Sequence, residues 1–507
     1  MTLNLGLRWD FRTIPYEQNN QMMWFDDGNP GGGLCFADKT LLTTVAPAGN
    51  GFYRYCGRRN PVDSSKKPFA PRLGFAYRFK DKTVIRGGYG IFFDASETRE
   101  IDDSGDVYPF VVRQNYSPTG NPTTPKLTDN MQPLIVPHTV SAATDGSQFF
   151  AVQISDHPRN PYVQQWSLSV QRQLATNTTL EANYVGNHGL HLLNRTNINQ
   201  PFEPANPALC DVTTGGNPNN PSCLIQPRRP YQNITAANGY LSSEWNGYAN
   251  YNAGNLKLEH RTSDLALQAV YTYAKSLDDK SAAAGIGSAG GGFAGHLNDH
   301  NPRLDYGRSD FDVRHRFVAS YVYGLPLGRG KRFGGGMNRA ADILVGGWQV
   351  GGVVTMQKGF PFSATGNFDF SGNDIFNQRA NLVPGCNPNS GPKTLTHWFN
   401  TACFTAPLYT QLGNSGRNIL TNPGINNWDM NIGKAFQFTE RVAFQFRVEA
   451  FNAFNHTQYG LDLTNPSVGP GQNPVSTNVS STGAQAFGVV TNARASRVVQ
   501  LGGKLTF

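Results

Sequence analysis

The sequence predicts an all-β protein whose antiparallel strands run up and down through a membrane. Three features of the 507 residues lead to this prediction. Strands alternate apolar and polar side chains, connections alternate between long and short, and the last strand ends on an aromatic residue. Together they are typical of a transmembrane β-barrel, in which each strand offers lipid only every second side chain.

The final stretch, Ala495–Phe507, shows the alternation most clearly. Val499, Leu501, Leu505 and Phe507 fall on one face, and the other face is mostly polar. A chain that ends on the strand itself, with an aromatic as its last residue, is characteristic of outer-membrane barrels. We therefore interpret these four residues as a C-terminal barrel signal.

The same alternation recurs eleven more times. The predicted strands cover residues 1–11, 72–79, 83–93, 162–174, 179–192, 251–260, 264–275, 314–325, 342–357, 427–438, 441–454 and 495–507. Most are about 10 to 14 residues long, which suits the roughly 9 to 11 residues that a tilted spanning strand needs. Strands of globular proteins average nearer 5 or 6.

Each strand is justified by its apolar face and by a turn signal at one end. Turns at Lys80–Lys82, Ala175–Thr178 and Arg261–Ser263 join successive strands, and the Gly/Arg-rich connector Pro326–Ala341 leads into the ninth. The clearest apolar faces, in chain order, are Leu3, Leu5, Leu7 and Trp9; Leu73, Phe75, Tyr77 and Phe79; Trp166, Leu168 and Val170; and Phe317, Ala319, Tyr321 and Tyr323.

The connections alternate strictly, and the long ones are residues 13–71, 94–161, 193–250, 276–313, 358–426 and 455–494. Six loops of this length would be unusual in a compact soluble domain. Outer-membrane barrels, by contrast, combine short periplasmic turns with long extracellular loops. Because the last strand runs from a long connection to the carboxyl end, we expect all six long segments to lie outside the cell.

The composition excludes other classes. Charged residues make up 15% and aromatics 12%, with 55 glycines, which suits strands and turns. No run of about 18 apolar residues occurs, so a helical membrane protein is excluded. The net charge of +8 could suggest nucleic acid, but the basic residues are scattered singly and form no stripe. We therefore expect no nucleic-acid partner.

The six cysteines fall as three near-neighbour pairs, each within one long segment, and none has the C-x-x-C spacing of a zinc site. Local pairs in turn-rich segments suit disulfides in an oxidising compartment. The alternative is six free thiols. The predicted pairs are Cys35 with Cys56, Cys210 with Cys223, and Cys386 with Cys403.

Several segments resemble the carboxyl-terminal part of the Oar-like TonB-dependent receptors of acidobacteria and related bacteria. The likeness covers essentially the whole chain, and its specificity comes from the order and spacing of the motifs. These are Pro71–Tyr77, Arg86–Asp94, Asn160–Ser167, Asn183–Asn187, Asp312–Phe317 and Val448–Asn455.

The resemblance implies a 22-stranded barrel with an amino-terminal plug and a TonB-contacting segment. About twelve strands are present here, and residues 1–10 read as a strand and not as a signal peptide. We therefore expect residues 1–507 to be the carboxyl-terminal portion of such a barrel, with plug, TonB box and signal peptide absent. The expected location is the bacterial outer membrane.

Charged residues at the polar positions of the strands are candidates for the barrel lumen, because charge is costly against lipid. Some could contact a plug or a substrate, but cross-strand pairing within the wall is the favoured interpretation. The candidates are Arg72, Arg86, Glu181, Lys257, Glu259, Arg316, Asp429, Arg447 and Glu449.

No catalytic, cofactor or metal site is predicted. Gly285–Gly290 matches G-x-G-x-x-G but lies in a Gly/Ala-rich loop, without the strand and helix that a dinucleotide site requires. The Asp/His residues of segment 299–315 have neither calcium-loop nor zinc spacing. No nucleophile elbow or H-E-x-x-H motif appears, so we expect no enzyme.

The leading hypothesis is the barrel portion of an outer-membrane TonB-dependent receptor, whose loops capture a small-molecule, glycan or peptide ligand. The expected partners are outer-membrane lipid, the barrel assembly machinery and, through the missing amino-terminal part, the TonB complex. One alternative is a self-contained twelve-stranded porin or adhesin. A second is a soluble secreted carbohydrate-binding β protein, because alternation in each segment is a weak signal.

Overall fold

The computed structural model describes residues 1–11, 16–26, 28–40, 42, 53–60, 68–94, 153–154, 159–232, 241–281, 296–365, 378–459 and 486–507. Within these ranges strands dominate. In chain order they are β1 (Thr2–Trp9), β2 (Met23–Phe25), β3 (Leu34–Phe36), β4 (Tyr53–Tyr55), β5 (Phe69–Lys80), β6 (Thr83–Phe93), β7 (Gln153–Ile154), β8 (Tyr162–Ala175), β9 (Thr178–Asn197), β10 (Leu241–Arg261), β11 (Leu265–Asp278), β12 (Gly307–Arg308), β13 (His315–Gly324), β14 (Trp348–Gln357), β15 (Pro361–Phe362), β16 (Asn381–Leu382), β17 (Phe404–Thr405), β18 (Leu420–Thr421), β19 (Ile425–Gln437), β20 (Ala443–Phe451) and β21 (Val498–Thr506).

The described helices are short. The α-helices are α1 (Ile225–Arg228) and α2 (Arg339–Val345), and 3-10 turns cover Pro207–Leu209, Val212–Thr214, Pro302–Asp305, Pro388–Ser390 and Thr401–Cys403. None of these described helices has the length and apolar character needed to cross a membrane.

Twelve strands form one antiparallel sheet, which we call the main sheet. Each strand pairs with its neighbours along the chain, in the order β1-β5-β6-β8-β9-β10-β11-β13-β14-β19-β20-β21. The two-residue strands β7 and β12 pair alongside β10 and β11. This arrangement confirms the predicted all-β, antiparallel, up-and-down fold. Among the described residues, β1 and β21 each have one partner, so the main sheet has two open edges.

The main sheet has two unlike ends. At the turn end, residues 81–82, 176–177, 262–264, 325–347 and 438–442 join paired strands. At the loop end, the six long segments join the remaining neighbours. The alternation of long and short connections in the sequence therefore corresponds to two opposite ends of one sheet.

One face of the main sheet is apolar and bare. Leu5 on β1 and Leu501 on β21 are 72% and 73% exposed, although full burial of a leucine stabilises a protein by about 1.5–3 kcal/mol. Leu73 lies directly opposite Leu5 and shares this face. Val499 and Leu505 lie on it with Leu501, and the chain ends at Phe507. We call it the apolar face and its reverse the polar face.

Aromatic rings cover glycines across neighbouring strands on the apolar face. The register places Phe75 opposite Gly87, Trp166 opposite Gly186 and Tyr321 opposite Gly352. In each pair the ring occupies the space that a Cβ atom on the glycine would need. Such cross-strand cover compensates for the absence of a side chain on the glycine.

The structure corrects the bounds of three predicted strands, the fifth, the sixth and the ninth. Residues 342–347 were expected to begin the ninth strand, but α2 ends at Val345 and β14 begins only at Trp348. The side chain of Asn338 accepts the N–H of Ala341 at 2.8 Å and caps this helix, which outweighs the strand preference of its apolar residues. The fifth and sixth strands are also longer than predicted, because β9 and β10 continue together beyond the sheet at the loop end.

The buried cores lie in the loops. A first cluster joins Met22, Trp24 and Cys35 to Trp245 on the extended part of β10. A second comprises Phe362, Ala364, Ala380, Phe399, Cys403, Phe404 and Leu420. The short sheets β2-β3-β4, β15-β18 and β16-β17 contribute residues to these clusters. The long segments thus contain packed units in their described parts.

Candidate functional site

All nine charged residues selected from the sequence lie on the polar face. Directly opposite residues of paired strands share a face, so the register can be followed from β5 to β20. Glu181 lies opposite Lys257, and Glu259 opposite Gln268. The others on this face are Arg72, Arg86, Arg316, Asp429, Arg447 and Glu449.

Several of these charges have partners within the wall. Lys257 Nζ lies 2.6 Å from Glu259 Oε1, to which Gln268 also donates at 3.2 Å. Arg447 Nη1 lies 3.1 Å from Glu449. Both ion pairs join residues two positions apart on one strand and are not the expected cross-strand pairs, whereas Gln268 of β11 supplies a cross-strand contact to Glu259.

Other polar-face charges contact neutral groups. Arg86 Nη1 donates to Gln171 Oε1 at 2.7 Å, and the guanidinium of Arg72 lies 4.8 Å from the centre of the Phe92 ring. Asp429 accepts the N–H of Asn452 at 2.9 Å. The polar face therefore combines charges of both signs with amides and aromatic rings.

The polar face is concave. A depression of about 1250 Å³ is lined by Glu259 of β10, Gln268, Ser320, Asp429 and Glu449 of β20. The strands β11, β13, β14 and β19 lie between β10 and β20, so residues four strands apart face one space only if the sheet curves around it. A second depression of about 450 Å³, lined by Arg72, Gln165, Ser167, Asn187 and Tyr251 among others, lies farther along the same face.

Three disulfides lie at the loop end. They join Cys35 with Cys56, Cys210 with Cys223, and Cys386 with Cys403. Cys35 belongs to the first buried cluster and Cys403 to the second. The covalent links therefore hold packed units together and do not merely close exposed turns.

A buried polar network connects different long segments. Arg417 Nη1 lies 2.7 Å from Asp278 Oδ1, and its Nη2 lies 3.3 Å from Asp310. Arg379 forms an ion pair with Asp305. Segment 378–418 is thereby tied to segment 278–312 by charge-assisted hydrogen bonds, which are stronger than neutral ones.

His296 carries a second part of this network. Its Nδ1 lies 3.1 Å from Asp299 and its Nε2 3.6 Å from Asp279, and all three side chains are almost fully buried. Burial alone lowers the pKa of His296, but the carboxylates of Asp279 and Asp299 beside the ring outweigh it and raise the pKa to about 9. At neutral pH the ring is therefore a buried cation between carboxylates.

Asp211 joins two other segments. Its carboxylate accepts the N–H groups of Thr213, at 2.8 Å, and Tyr409. Burial opposes ionisation, but these hydrogen bonds dominate and lower the pKa of Asp211. Leu412 N donates to Glu203 Oε1 at 2.6 Å beside it. Together with the Arg417 network, these contacts join three long segments, residues 193–250, 276–313 and 358–426, into what we call the loop layer.

The remaining sequence candidates have other surroundings. Asp305, Asp310 and Asp312 are all engaged by arginines, with Arg308 2.8 Å from Asp312. Gly285–Gly290 lies outside the described residues. Among the residues the structure describes, one group of three potential metal ligands is close together, Asp26 with Cys35 and Cys56, and the disulfide consumes both thiols.

Sequence reasoning missed His296, Arg379 and Arg417. Their partners lie far away in sequence, for example 139 residues between Arg417 and Asp278. The density of aspartates in segment 299–312 was a signal of a polar cluster. Nothing local to Arg417 or Arg379 showed that these two arginines would neutralise it.

Comparison with known proteins agrees with this architecture. The family described as "Outer membrane beta barrel domain" matches residues 1–500. The chain belongs to this family. It is therefore an outer-membrane β-barrel protein of bacteria.

Solved structures similar to this β-barrel chain include three outer-membrane proteins. The transporter YddB from Escherichia coli is 9% identical, with 78% of this chain and 38% of that chain covered and a TM-score of 0.39. The FrpB iron transporter from Neisseria meningitidis is 10% identical, with coverage of 87% and 39% and a TM-score of 0.36. The ferripyoverdine receptor from Pseudomonas aeruginosa is 11% identical, with coverage of 88% and 34% and a TM-score of 0.33.

The β-barrel chain spans less than two fifths of the length of each of these proteins. No curated protein matches its sequence.

Proposed function

We propose that this chain supplies wall and ligand-capturing loops of an Oar-like, TonB-dependent outer-membrane receptor that takes up its substrate with energy from the TonB complex. The observation that carries this proposal is the packed loop layer at one end of a curved sheet with a polar concave face. A receptor needs a structured surface that binds ligand above a polar interior. The sequence motifs shared with Oar-like receptors support the same assignment.

The proposed orientation places the loop end outside the cell and the turn end in the periplasm. The three disulfides then lie on the extracellular side, where thiols oxidise. The nine polar-face charges face the lumen, away from lipid. Bound ligand would pass from the loop layer along this polar face.

We further propose that the main sheet is the carboxyl-terminal portion of a larger barrel. The open edges at β1 and β21 expose unpaired N–H and C=O groups, which are costly in a membrane without partners. Additional strands would satisfy both edges, as in the 22-stranded barrel that the resemblance implies. A plug inside that barrel would contact the TonB complex, and the barrel assembly machinery would insert the strands.

One test is the reading frame upstream of Met1. We expect it to encode a plug domain and a TonB box in frame with this chain. A signal peptide directly before Met1, without a plug, would contradict the receptor proposal.

A second test is reconstitution of the protein, purified from native outer membranes, into liposomes. A plugged receptor should give no passive swelling in small sugars, whereas an open pore should give rapid swelling.

The second candidate function is passive diffusion through a small closed pore. The observation that favours it is the even number of strands in the main sheet, because β1 and β21 run antiparallel and carry compatible apolar faces. A direct β1–β21 pair would close a twelve-stranded barrel. Rapid liposome swelling, together with an introduced disulfide that links β1 to β21, would support this candidate.

A further inference from the structure

The connection between β13 and β14 differs from the other connections at the turn end. The others contain a few residues each, whereas this one comprises residues 325–347 and includes α2. We call it the α2 connection. Its sequence, LPLGRGKRFGGGMNRAADILVGG, combines basic residues with an apolar helix end.

The helix is fixed to the loop that precedes it, and two of its apolar side chains are exposed. Asp342 Oδ1 accepts the N–H of Arg329 at 2.6 Å, which fixes α2 against the preceding loop. Ile343 and Leu344, the next two residues of the helix, are 53% and 69% exposed. Large apolar residues that a folded protein leaves bare on a fixed helix mark a contact with another apolar phase.

This bare surface continues the apolar face of the main sheet. The indole N–H of Trp348, the first residue of β14, donates to the C=O of Leu344 at 2.9 Å. The Trp348 ring in turn packs edge-on against Phe446 of β20, at 6.5 Å between ring centres. Apolar surface therefore runs without interruption from α2 onto the apolar face of the main sheet.

The side chain of a lysine on the apolar face also extends to the end of α2. Lys434 lies opposite Trp348, and its ammonium group contacts the C=O of Gly346 at the end of α2. Its Nζ lies 5.0 Å from the Phe436 ring centre and 5.8 Å from that of Trp348. A long cationic side chain that runs past aromatic rings toward a polar group is typical of the membrane–water boundary.

The loop before α2 is cationic. Arg329, Arg332 and Arg339 are exposed, and Lys331 is paired with Asp264 at 2.8 Å. Asp342 is the one acidic residue of the connection, and its carboxylate is used within it. Among the described residues, Arg329 and Arg339 have no ion-pair partner. Their charge therefore remains available for an anionic surface.

We propose that the α2 connection is a membrane-surface anchor that binds phospholipid at the turn end. Ile343 and Leu344 enter the boundary between headgroups and acyl chains, and Arg329, Arg332 and Arg339 contact the headgroup phosphates. A basic loop beside an exposed apolar helix face is the composition of an interfacial anchor. This inference rests on the proposed orientation, in which the turn end meets the periplasmic leaflet.

A lipid surface fits these observations better than a soluble protein partner does. The exposed apolar residues adjoin strands that already face lipid, so one continuous hydrocarbon phase covers both. The basic residues lie beside that phase at the level where phosphates occur. A protein partner would have to cover Leu344 while leaving the adjoining Trp348 and Phe446 to lipid.

The test uses a fluorescent label and brominated lipids. Within the described residues every cysteine is in a disulfide, so Leu344→Cys introduces a selectively reactive thiol. The full chain is reconstituted in vesicles of phosphatidylethanolamine and phosphatidylglycerol, with or without bromine on the acyl chains. We expect strong quenching of a label at Leu344→Cys, similar to Leu168→Cys on the apolar face, and little at Asn177→Cys in a short turn.

The two controls separate the inference from the proposed function. A quenched label at Leu168→Cys with an unquenched label at Leu344→Cys would overturn the anchor while leaving the barrel intact. Unquenched labels at both positions would overturn the barrel assignment and the anchor with it. Protection of the Leu344→Cys label by a soluble protein, without quenching by lipid, would assign this surface to a protein partner.

A second experiment tests the basic residues. In vesicles with phosphatidylglycerol, the triple change Arg329→Gln, Arg332→Gln, Arg339→Gln should reduce quenching at Leu344→Cys by about two-fold or more, because the attraction of three cations to the anionic surface is lost. The effect should disappear in purely zwitterionic vesicles. Arg303→Gln at the loop end is the matched control and should change nothing. Equal quenching in the triple variant and the control would contradict the phosphate contacts.

Discussion

At the scale of residues, glycines on the apolar face determine where aromatic rings can lie. Gly186 is covered by the Trp166 ring, whose indole N–H is 3.4 Å from the Tyr184 hydroxyl. Gly254, on the neighbouring strand β10 and the same face, has no atom within 4 Å of the position that a Cβ would take. The two glycines thus form a matched pair: the Trp166 ring covers Gly186, and no side chain covers Gly254.

We predict that Gly186→Ala destabilises the sheet by about 1–3 kcal/mol, the usual cost of overpacking. The new Cβ would lie 2.5 Å from Trp166 Cε2 and would displace the ring. Gly254→Ala should be neutral or stabilising by about 0.4–1 kcal/mol, because it reduces the entropy of the unfolded chain. Urea unfolding in detergent micelles measures both. Equal midpoints for the two variants would contradict the role of the ring.

His296 provides a prediction on pH. Its pKa is raised from 6.5 to about 9, so its contribution to stability is complete below pH 6.5 and is lost as the pH rises through about 9. Between these values the loss is about 1.4 kcal/mol per pH unit. The protection factors of amide hydrogen exchange in residues 296–314, which correct for the intrinsic base-catalysed rate, should therefore fall between pH 6.5 and pH 9.5.

His296→Gln should remove most of this pH dependence, because glutamine does not titrate. The exposed His397, in another long segment, supplies the control. His397→Gln should leave the exchange profile of residues 296–314 unchanged. A profile that keeps its full slope in His296→Gln would assign the pH dependence to a different group.

The polar-face charges could be predicted from the sequence, whereas the ion pairs between long segments could not. The polar-face charges, such as Glu181 and Lys257, follow from the period of two that every strand imposes on its side chains. The partner of Arg379 is 74 residues away in sequence, on a different long segment. No local period links such residues, so only the packed loops reveal the pair.

At the scale of elements, strand positions were predictable and strand ends were not. β6 has the predicted bounds, because hydrophobic alternation and the Lys80–Lys82 turn both mark it. The predicted start of β14 was wrong, because Asp342-Ile343-Leu344-Val345 has the pattern of a strand until the helix cap at Asn338 is considered. The extension of β9 and β10 was missed, because the packing of Trp245 against the first loop cluster prolongs these strands.

The disulfide Cys386–Cys403 supports one packed unit, and its removal should act locally. We predict that Cys386→Ser with Cys403→Ser costs about 2–4 kcal/mol of local stability, because the open chain gains entropy. Phe399 and Phe404 lie in the same cluster as Cys403 and should become accessible. Limited proteolysis should cleave residues 378–405 faster, while the main sheet stays folded in gel-mobility assays.

The matched control is Cys210→Ser with Cys223→Ser, which opens a link in a different segment. It should accelerate cleavage within residues 198–232 and leave residues 378–405 protected.

Peptide mapping without reduction should find the three local pairs. A link between cysteines of different pairs would contradict the loop assignment.

At the scale of the whole molecule, the loop layer depends on a few long-range ion pairs. Arg417 contacts Asp278 at the end of β11, Ser281 and Asp310, so one side chain joins the tip of the sheet to two loop segments. Removal of one partner of a buried pair leaves an uncompensated charge. The loop layer should therefore loosen as a unit.

We predict that Arg417→Met destabilises the loop layer by about 3–5 kcal/mol. Adding Asp278→Asn should restore part of this loss, because the uncompensated charge is then removed. Arg441→Met, at an exposed position in a turn, should have little effect. Hydrogen exchange of residues 278–312 and 378–418 reports the change. A variant Arg417→Met with exchange as slow as the parent would exclude the pair as a link between segments.

The twelve-strand order, the two unlike ends of the sheet and the separation into an apolar and a polar face could all be derived from the sequence. They depend on alternation and connection length, which are local properties of the chain. Curvature of the polar face, the packed loop cores and the Arg417 network were decided by tertiary structure. They depend on contacts between residues on distant strands or on different parts of the loops, and no local pattern encodes such contacts.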